Sequence, residues 1–355
     1  MKRIGCLFTM LFFVLGVGVY AFWGQELFGS NQVVDEETIM SDKQETEENS
    51  GKQQSDDVGL TNSLFMQFIG RSSEDVIENF GQPIRKDKSP YGYTSYIYSD
   101  GQTYQIQFAV NEGNQVVMVY VIGKNAVEES INVGMDYDQL QRRFHFSNQV
   151  SLKTSDGLFD FELSDQDLLE RPLIELNDMW VQLYFDRFTN ELSSYRYLTK
   201  EVLLTQRPYS LTYRGKLEQQ KELTEDEWVE VETGASQQVL EITNAIRHRH
   251  GLSPLKWEQE TANVAYGHSR DMEENAYFSH VSPTEGELGE RLKKGGIVYS
   301  MAAENIAANY VDAIAAVEGW LNSEGHRVNM LNDEFTYLGV GVYKKHYTQN
   351  FISKW

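Results

Sequence analysis

Trp320-Leu321-Asn322-Ser323-Glu324-Gly325-His326-Arg327-Val328-Asn329 gathers an indole, an acid, an imidazole and a guanidinium into ten residues. Three shorter stretches share this mixture of a polar reactive group beside aromatic or small neighbours. They are Phe278-Ser279-His280, Ala303-Glu304-Asn305-Ile306-Ala307 and His346-Tyr347-Thr348-Gln349. Of the seven histidines in the chain, six follow position 247, so the last third, residues 235–355, is where imidazole chemistry is concentrated.

Two histidines and two acids, His280, Glu304, Glu324 and His346, are the donor types of a nitrogen–oxygen metal site, with His280 and His346 the candidate metal ligands. The same groups would serve a proton-transfer pair, because a neighbouring carboxylate moves an imidazole pKa across the physiological range. Spacing alone does not bring them together. The chain has no HExxH, no P-loop and no GxSxG.

Around these stretches the apolar periodicity predicts helices over 237–251, 258–276 and 311–321. The first ends on Arg247-His248-Arg249-His250 and a glycine, a suitable C-terminus. His268 sits one position off the core stripe of the second helix and reads as a hydrogen-bonded structural histidine. Gly339–Tyr343 and His346–Phe351 alternate as strands, which places His346, Thr348 and Asn350 on one face. Helices covering both faces of a small sheet follow.

The four stretches, in this order, resemble the signature motifs of the CAP superfamily of cysteine-rich secretory, antigen 5 and pathogenesis-related proteins. The resemblance covers about 237–351 and implies an α-β-α sandwich. It implies that His280, Glu304, Glu324 and His346 line a central cavity, which in some members holds a divalent cation (Zn²⁺, Mg²⁺ or Ca²⁺ here). Asn305, Trp320 and His326 complete the candidate ligand-binding set, each with a plainer structural reading. Asn305 could anchor a turn, Trp320 fill the core and His326 open a helix. Ala303 stands where the family usually has glycine. Glu324 and His346 are retained where many bacterial members have lost them.

Upstream, residues 62–200 carry an internal duplication. Gly70–Phe80 and Gly134–Phe144 share a glycine, an aliphatic at the seventh place and a phenylalanine at the eleventh. A strand pair turning at Asn114, and another at Asn190, follows each. The region reads as a duplicated α+β domain and is similar to the CAP-associated N-terminal domain of anchored bacterial members. Residues 201–234 read as a charged connector.

Residues 25–61 are rich in Asp, Glu, Gln, Ser and Asn, with Phe28 their only aromatic, and read as a disordered acidic tether. Residues 4–24 form an apolar run preceded by Lys2-Arg3, long enough for a single transmembrane helix with the bulk of the chain outside. A cleaved signal peptide, and hence a secreted protein, is the rival reading. Cys6, the sole cysteine, lies in that run, so no intramolecular disulfide can form.

With 31 basic and 53 acidic residues the net charge is −22, which excludes nucleic acid as a partner. The expectation is thus a membrane-anchored extracellular α+β protein. Its His/Glu cavity would bind a peptide, lipid or cell-wall component, with or without a divalent cation. The alternative is a hydrolase, a protease by preference, in which a His–Glu pair activates water. No activated nucleophile is visible, which favours binding.

Overall fold

The computed structural model describes residues 33–35, 64–123, 131–176 and 178–355. The run at 4–24 lies outside the described residues, as does nearly all of 25–61. Among the described residues no helix is long and apolar enough to cross a membrane. The tether reading is corrected at one point. β1 (Val33–Asp35) pairs in parallel with Leu211–Tyr213, where a Val-Val pair of high strand propensity meets an available sheet edge.

The N-terminal region is organised on a seven-stranded sheet. Its strands are β2 (Arg85–Lys88), β3 (Tyr93–Ser99), β4 (Gln105–Asn111), β5 (Val116–Ile122), β8 (Leu173–Leu176), β9 (Met179–Asp186) and β10 (Glu191–Leu198), in the spatial order 2-3-4-5-10-9-8. The two sequence copies meet where β5 pairs antiparallel with β10, and they make matching local contacts. Gly70 N–H donates to Val116 O, and Gly134 N–H to Leu192 O, both at 2.8 Å. The turns carry Asn114 and Asn190 at φ 59° and 60°, a left-handed conformation that asparagine tolerates. Helices α1 (Ser73–Phe80) and α2 (Tyr137–Phe144) are capped by the side chains of Ser72 and Asp136.

Between β5 and β8 lie α2, β6 (Gln149–Lys153), β7 (Gly157–Glu162) and α3 (Asp165–Glu170). The residues read as a connector are structured. Lys200–Gln206 forms α4, and β11 (Ser210–Gly215) joins β1, β7 and β6 in a second, four-stranded sheet. Helix α5 begins at Glu225, twelve residues before the position expected, because Thr224 and Glu227 close a capping box there, and it ends at Arg249.

The C-terminal region is a four-stranded sheet between helical layers, ordered β12 (Lys256–Trp257), β14 (Tyr337–Tyr343), β15 (His346–Ser353), β13 (Met301–Ala308). Strand alternation divides its side chains. Leu338, Val340, Val342, Tyr347 and Phe351 enter one core with Val239, Ile242 and Ile246 of α5 and with Ile314, Val317 and Trp320 of α8 (Ala313–Leu321). The opposite face, with Gly339 and Gly341, receives α6 (Gln259–Glu274). Ile352 packs there with Leu292 of α7 (Leu288–Lys294). Helix α9 (Glu324–Met330) follows α8 directly.

The two regions share buried material. Tyr120, Ile122 and Tyr184 of the larger sheet belong to the same apolar cluster as α5 and α8. Charged pairs cross the boundary: Arg327 binds both oxygens of Asp186 at 2.9 Å, and Arg85 meets Glu241 at 2.8 Å. Burial raises the cost of ionising Asp186, but His250 and Arg327 outweigh it and hold its carboxyl at about 2, below the ordinary 3.8.

A depressed folded-state pKa contributes stability above pH ~4 that is lost as pH falls through about 2. The shift is worth about 2 kcal/mol. Asp186→Asn should therefore be less stable than wild type in urea at pH 5. The gap should shrink by about that amount towards pH 2; a gap that stays constant would dissociate Asp186 from acid stability.

Candidate functional site

The site is built around Glu304 in the middle of β13. Antiparallel pairing sets Glu304 opposite Asn350, and alternation turns its side chain to the face covered by α6 and α7. The residue is 8% exposed. Its Oε1 accepts from His280 Nδ1 at 2.9 Å, and its Oε2 receives Arg291 Nη2 of α7 at 2.5 Å. His268 of α6 stands 3.9 Å from Oε1 and bonds Ser279 O at 3.0 Å through Nε2. Arg291 also donates to the carbonyls of His280 and Gly286, which fixes the loop that carries His280.

Burial opposes ionisation of Glu304. The His280 hydrogen bond and the Arg291 charge overcome it and hold the carboxyl below the usual range. An ionised carboxylate only accepts, so Nδ1 of His280 carries a proton, and in the neutral ring Nε2 presents a lone pair. The His280 side chain is 54% exposed, and among the described residues Nε2 has no protein partner. It lines an open cleft of about 500 Å³ with Val281, Leu288, Tyr299 and Glu304. His268 is driven by burial to about 4, although Glu304 pulls the other way, so it is neutral above that pH.

The seven residues singled out from the sequence separate into distinct settings. His280 and Glu304 meet. His346 does not join them. It faces the same side of the sheet, but pairs with Ala308, four residues along β13 and about 13 Å of strand away. There its Nδ1 meets Glu273 of α6 at 3.0 Å. Glu324 is the exposed first residue of α9.

Trp320 is wholly buried and its indole N–H donates to Ile306 O, so it is core and not a cavity wall. Asn305 faces away from Glu304. Its amide donates to His326 O and Gln349 Oε1 and accepts from Asn329, which ties α9 to the sheet. His326 shares a 2.8 Å hydrogen bond with Ser323 Oγ. Burial lowers it to about 4, and His280 adds to the shift when its ring is protonated.

A divalent ion held by His280 and His346 does not fit these residues. Both oxygens of Glu304 are engaged, one by a guanidinium whose charge would repel a cation, and His346 is turned to Glu273. Among the described residues no group of three or more His, Cys, Asp or Glu side chains is placed to hold a metal.

Arg291 and Glu273 escaped the sequence reading. Arg291 sits among Lys293 and Lys294 on a short helix, where it resembles any solvated cation, and Glu273 is one acid in an acidic run. Neither carries a local signal.

Comparison with known proteins agrees with this architecture. Residues 69–209 match the CAP-associated N-terminal family model, and residues 240–354 match the cysteine-rich secretory protein family model. The chain is 41% identical over 309 residues to the uncharacterized membrane protein YlbC of Bacillus subtilis (strain 168), covering 87% of this chain and 88% of that one. It is similar in structure to an extracellular protein containing a SCP domain from Bacillus anthracis str. Ames. The TM-score there is 0.78 and the identity 45%, over 89% of this chain and 100% of the other. A cysteine-rich secretory protein from Staphylococcus aureus subsp. aureus Mu50 superposes with TM-score 0.73 at 25% identity, over 81% and 92% of the two chains. The chain therefore belongs to the cysteine-rich secretory protein (CAP) family, with a CAP-associated N-terminal domain ahead of its CAP domain.

Proposed function

We propose that this chain is a membrane-anchored cell-surface protein whose cleft at His280 binds an extracellular ligand. The observation that carries the reading is the oriented imidazole: Nδ1 is fixed on buried Glu304, and the ring stands half-exposed in an open cleft. A fixed acceptor with apolar Val281 and Leu288 nearby suits a ligand offering one hydrogen-bond donor and some hydrocarbon. A peptide, a lipid or a cell-wall component has both. The anchored placement rests on the apolar run at 4–24 and on the membrane designation of the Bacillus subtilis relative.

The test is sedimentation of the full chain, in detergent micelles, with purified cell-wall fragments, and titration with peptide and lipid. His280→Ala should weaken whichever binding is found by about tenfold, the scale of a lost hydrogen bond and its packing. Unchanged affinity in His280→Ala would remove the cleft from the account.

The same carboxylate–imidazole pair favours a second reading, a hydrolase in which His280 Nε2 takes a proton from water. Glu304 would hold the tautomer and stabilise the imidazolium, as the acid of a catalytic triad does. Casein or cell-wall turnover abolished by His280→Ala would establish that reading. Binding without turnover would retire it.

A further inference from the structure

β13 closes one side of the C-terminal sheet, so only its β15 side is paired. Just past the strand, Asn309 N–H donates to Lys345 O at 3.0 Å, in the register of the β13–β15 pair. Antiparallel ladders bond every second residue. Ala307, Asn305, Ala303 and Met301 therefore face β15, while Ile306, Glu304 and Ala302 turn their backbone groups outward. The outward carbonyls agree with this count. Trp320 Nε1 donates to Ile306 O at 3.0 Å and Asn329 Nδ2 to Glu304 O at 3.3 Å, so α8 and α9 cover the edge there. The cover stops short of Ala302. Among the described residues no protein group meets its outward N–H and C=O, and it lines the open cleft beside His280.

An unpaired strand edge is a template for another strand, and natural edges are guarded by lysine, proline or a bulge. Met301-Ala302-Ala303 has none of these, and its register against β15 runs without interruption. A residue placed opposite Ala302 would put its side chain on the face of Ala302 and Glu304, in the cleft with Val281 and Leu288. Its neighbours would point the other way. Charge selects among possible strands. Glu287 lines the cleft, Arg291 is engaged by Glu304, and the whole chain carries −22, which repels a second copy and attracts a cation.

We propose that an extended cationic peptide adds to this sheet as a fifth strand, antiparallel to β13, exchanging both backbone hydrogen bonds with Ala302 and passing beside His280. The assignment rests on the cleft at His280 being a ligand site, and it narrows the ligand to a peptide. Backbone pairing supplies affinity, and the apolar side chains that enter the cleft supply selectivity.

The experiment is calorimetric titration of the full chain, in detergent micelles at pH 7, with acetyl-Val-Lys-Val-Lys-Val-amide. The peptide should bind saturably with its valines in the cleft, and in an antiparallel pair those same valines bond β13. N-methylation of the valines should therefore lower affinity roughly tenfold or more, while N-methylation of the lysines should change it less than about threefold. Ala302→Pro removes only a donor that the sheet does not use, a substitution edge strands tolerate, and should also lower affinity about tenfold. The methylated peptides test the wild-type chain, so they decide the matter even if that variant fails to fold. No saturable binding, equal effects of the two methylations, or wild-type affinity in folded Ala302→Pro would overturn the pairing. Binding weakened by His280→Ala without the methylation pattern would overturn the pairing and keep the cleft. The pattern with wild-type affinity in His280→Ala would keep the pairing and remove His280 from the ligand site.

Discussion

Gly341→Ala is expected to destabilise the CAP domain by about 3 kcal/mol or more, at the upper end for overpacking. The added methyl would fall on the backbone of α6 at Ala265 and Tyr266, closer than any van der Waals contact allows. Backbone cannot rotate aside as a side-chain tip can, so the helix must lift from the sheet. Lifting it would break the hydrogen bonds from Ser269 Oγ to Gly341 O, at 2.9 Å, and between Ser269 and Thr348, at 2.8 Å. It would also carry His268 away from Glu304. Gly267→Ala supplies the contrast on the same helix. Its site is exposed with nothing within 4 Å, and alanine there should raise stability by roughly 0.5–1 kcal/mol. Urea midpoints of the two variants, moving in opposite directions from wild type, check the pair. A Gly341→Ala protein as stable as wild type would show that α6 does not rest on the glycine face.

Asp312→Ala should cost about 3–5 kcal/mol by stranding a buried cation. Arg196 of β10 is fully buried, and its Nη1 meets Asp312 Oδ2 at 2.6 Å across the boundary between the two regions. The other carboxylate oxygen caps α8, accepting from Ala315 N at 2.9 Å, a contact worth about 1 kcal/mol more. Asp312→Asn separates the contributions, because asparagine caps as well as aspartate but carries no charge; it should recover only the capping part. Replacing both partners, as Arg196→Met with Asp312→Ala, should be less damaging than Asp312→Ala alone, since no charge then remains buried. If the double variant is the least stable of the set, the ion pair is not the source of the loss.

The site geometry explains why histidine count was a better guide to the region than to the cluster. His280 and Glu304 were recognisable because each sits in a short motif whose order along the chain is distinctive. Their meeting depends on Arg291, which holds the His280 loop and neutralises Glu304 from a helix with no motif of its own. His346 stands in an equally distinctive motif and still lies elsewhere. The alternation of β15 gave the face, but distance along that face is set by the register against β13, which no local pattern states. Trp320 and Asn305 share these motifs with the others, but a motif does not say which side of a strand or helix will face a cavity.

What the sequence alone determined is whatever short-range physics dictates. The Leu-Gly-Val-Gly-Val alternation of 338–342 specifies a strand with one apolar and one open face. Ser72, Asp136 and Thr224 start helices by capping, and the repeated Gly…Phe pattern announces the duplication. Tertiary structure decided everything that needs two distant segments at one place. It joined Arg291 and Glu304 in one ion pair, turned His346 to Glu273, bound Asp186 to Arg327, and left Glu318 buried beneath the N-terminal sheet. Side-chain chemistry is written residue by residue, but burial and distance belong to pairs, and those exist only once the sheets and helices have packed.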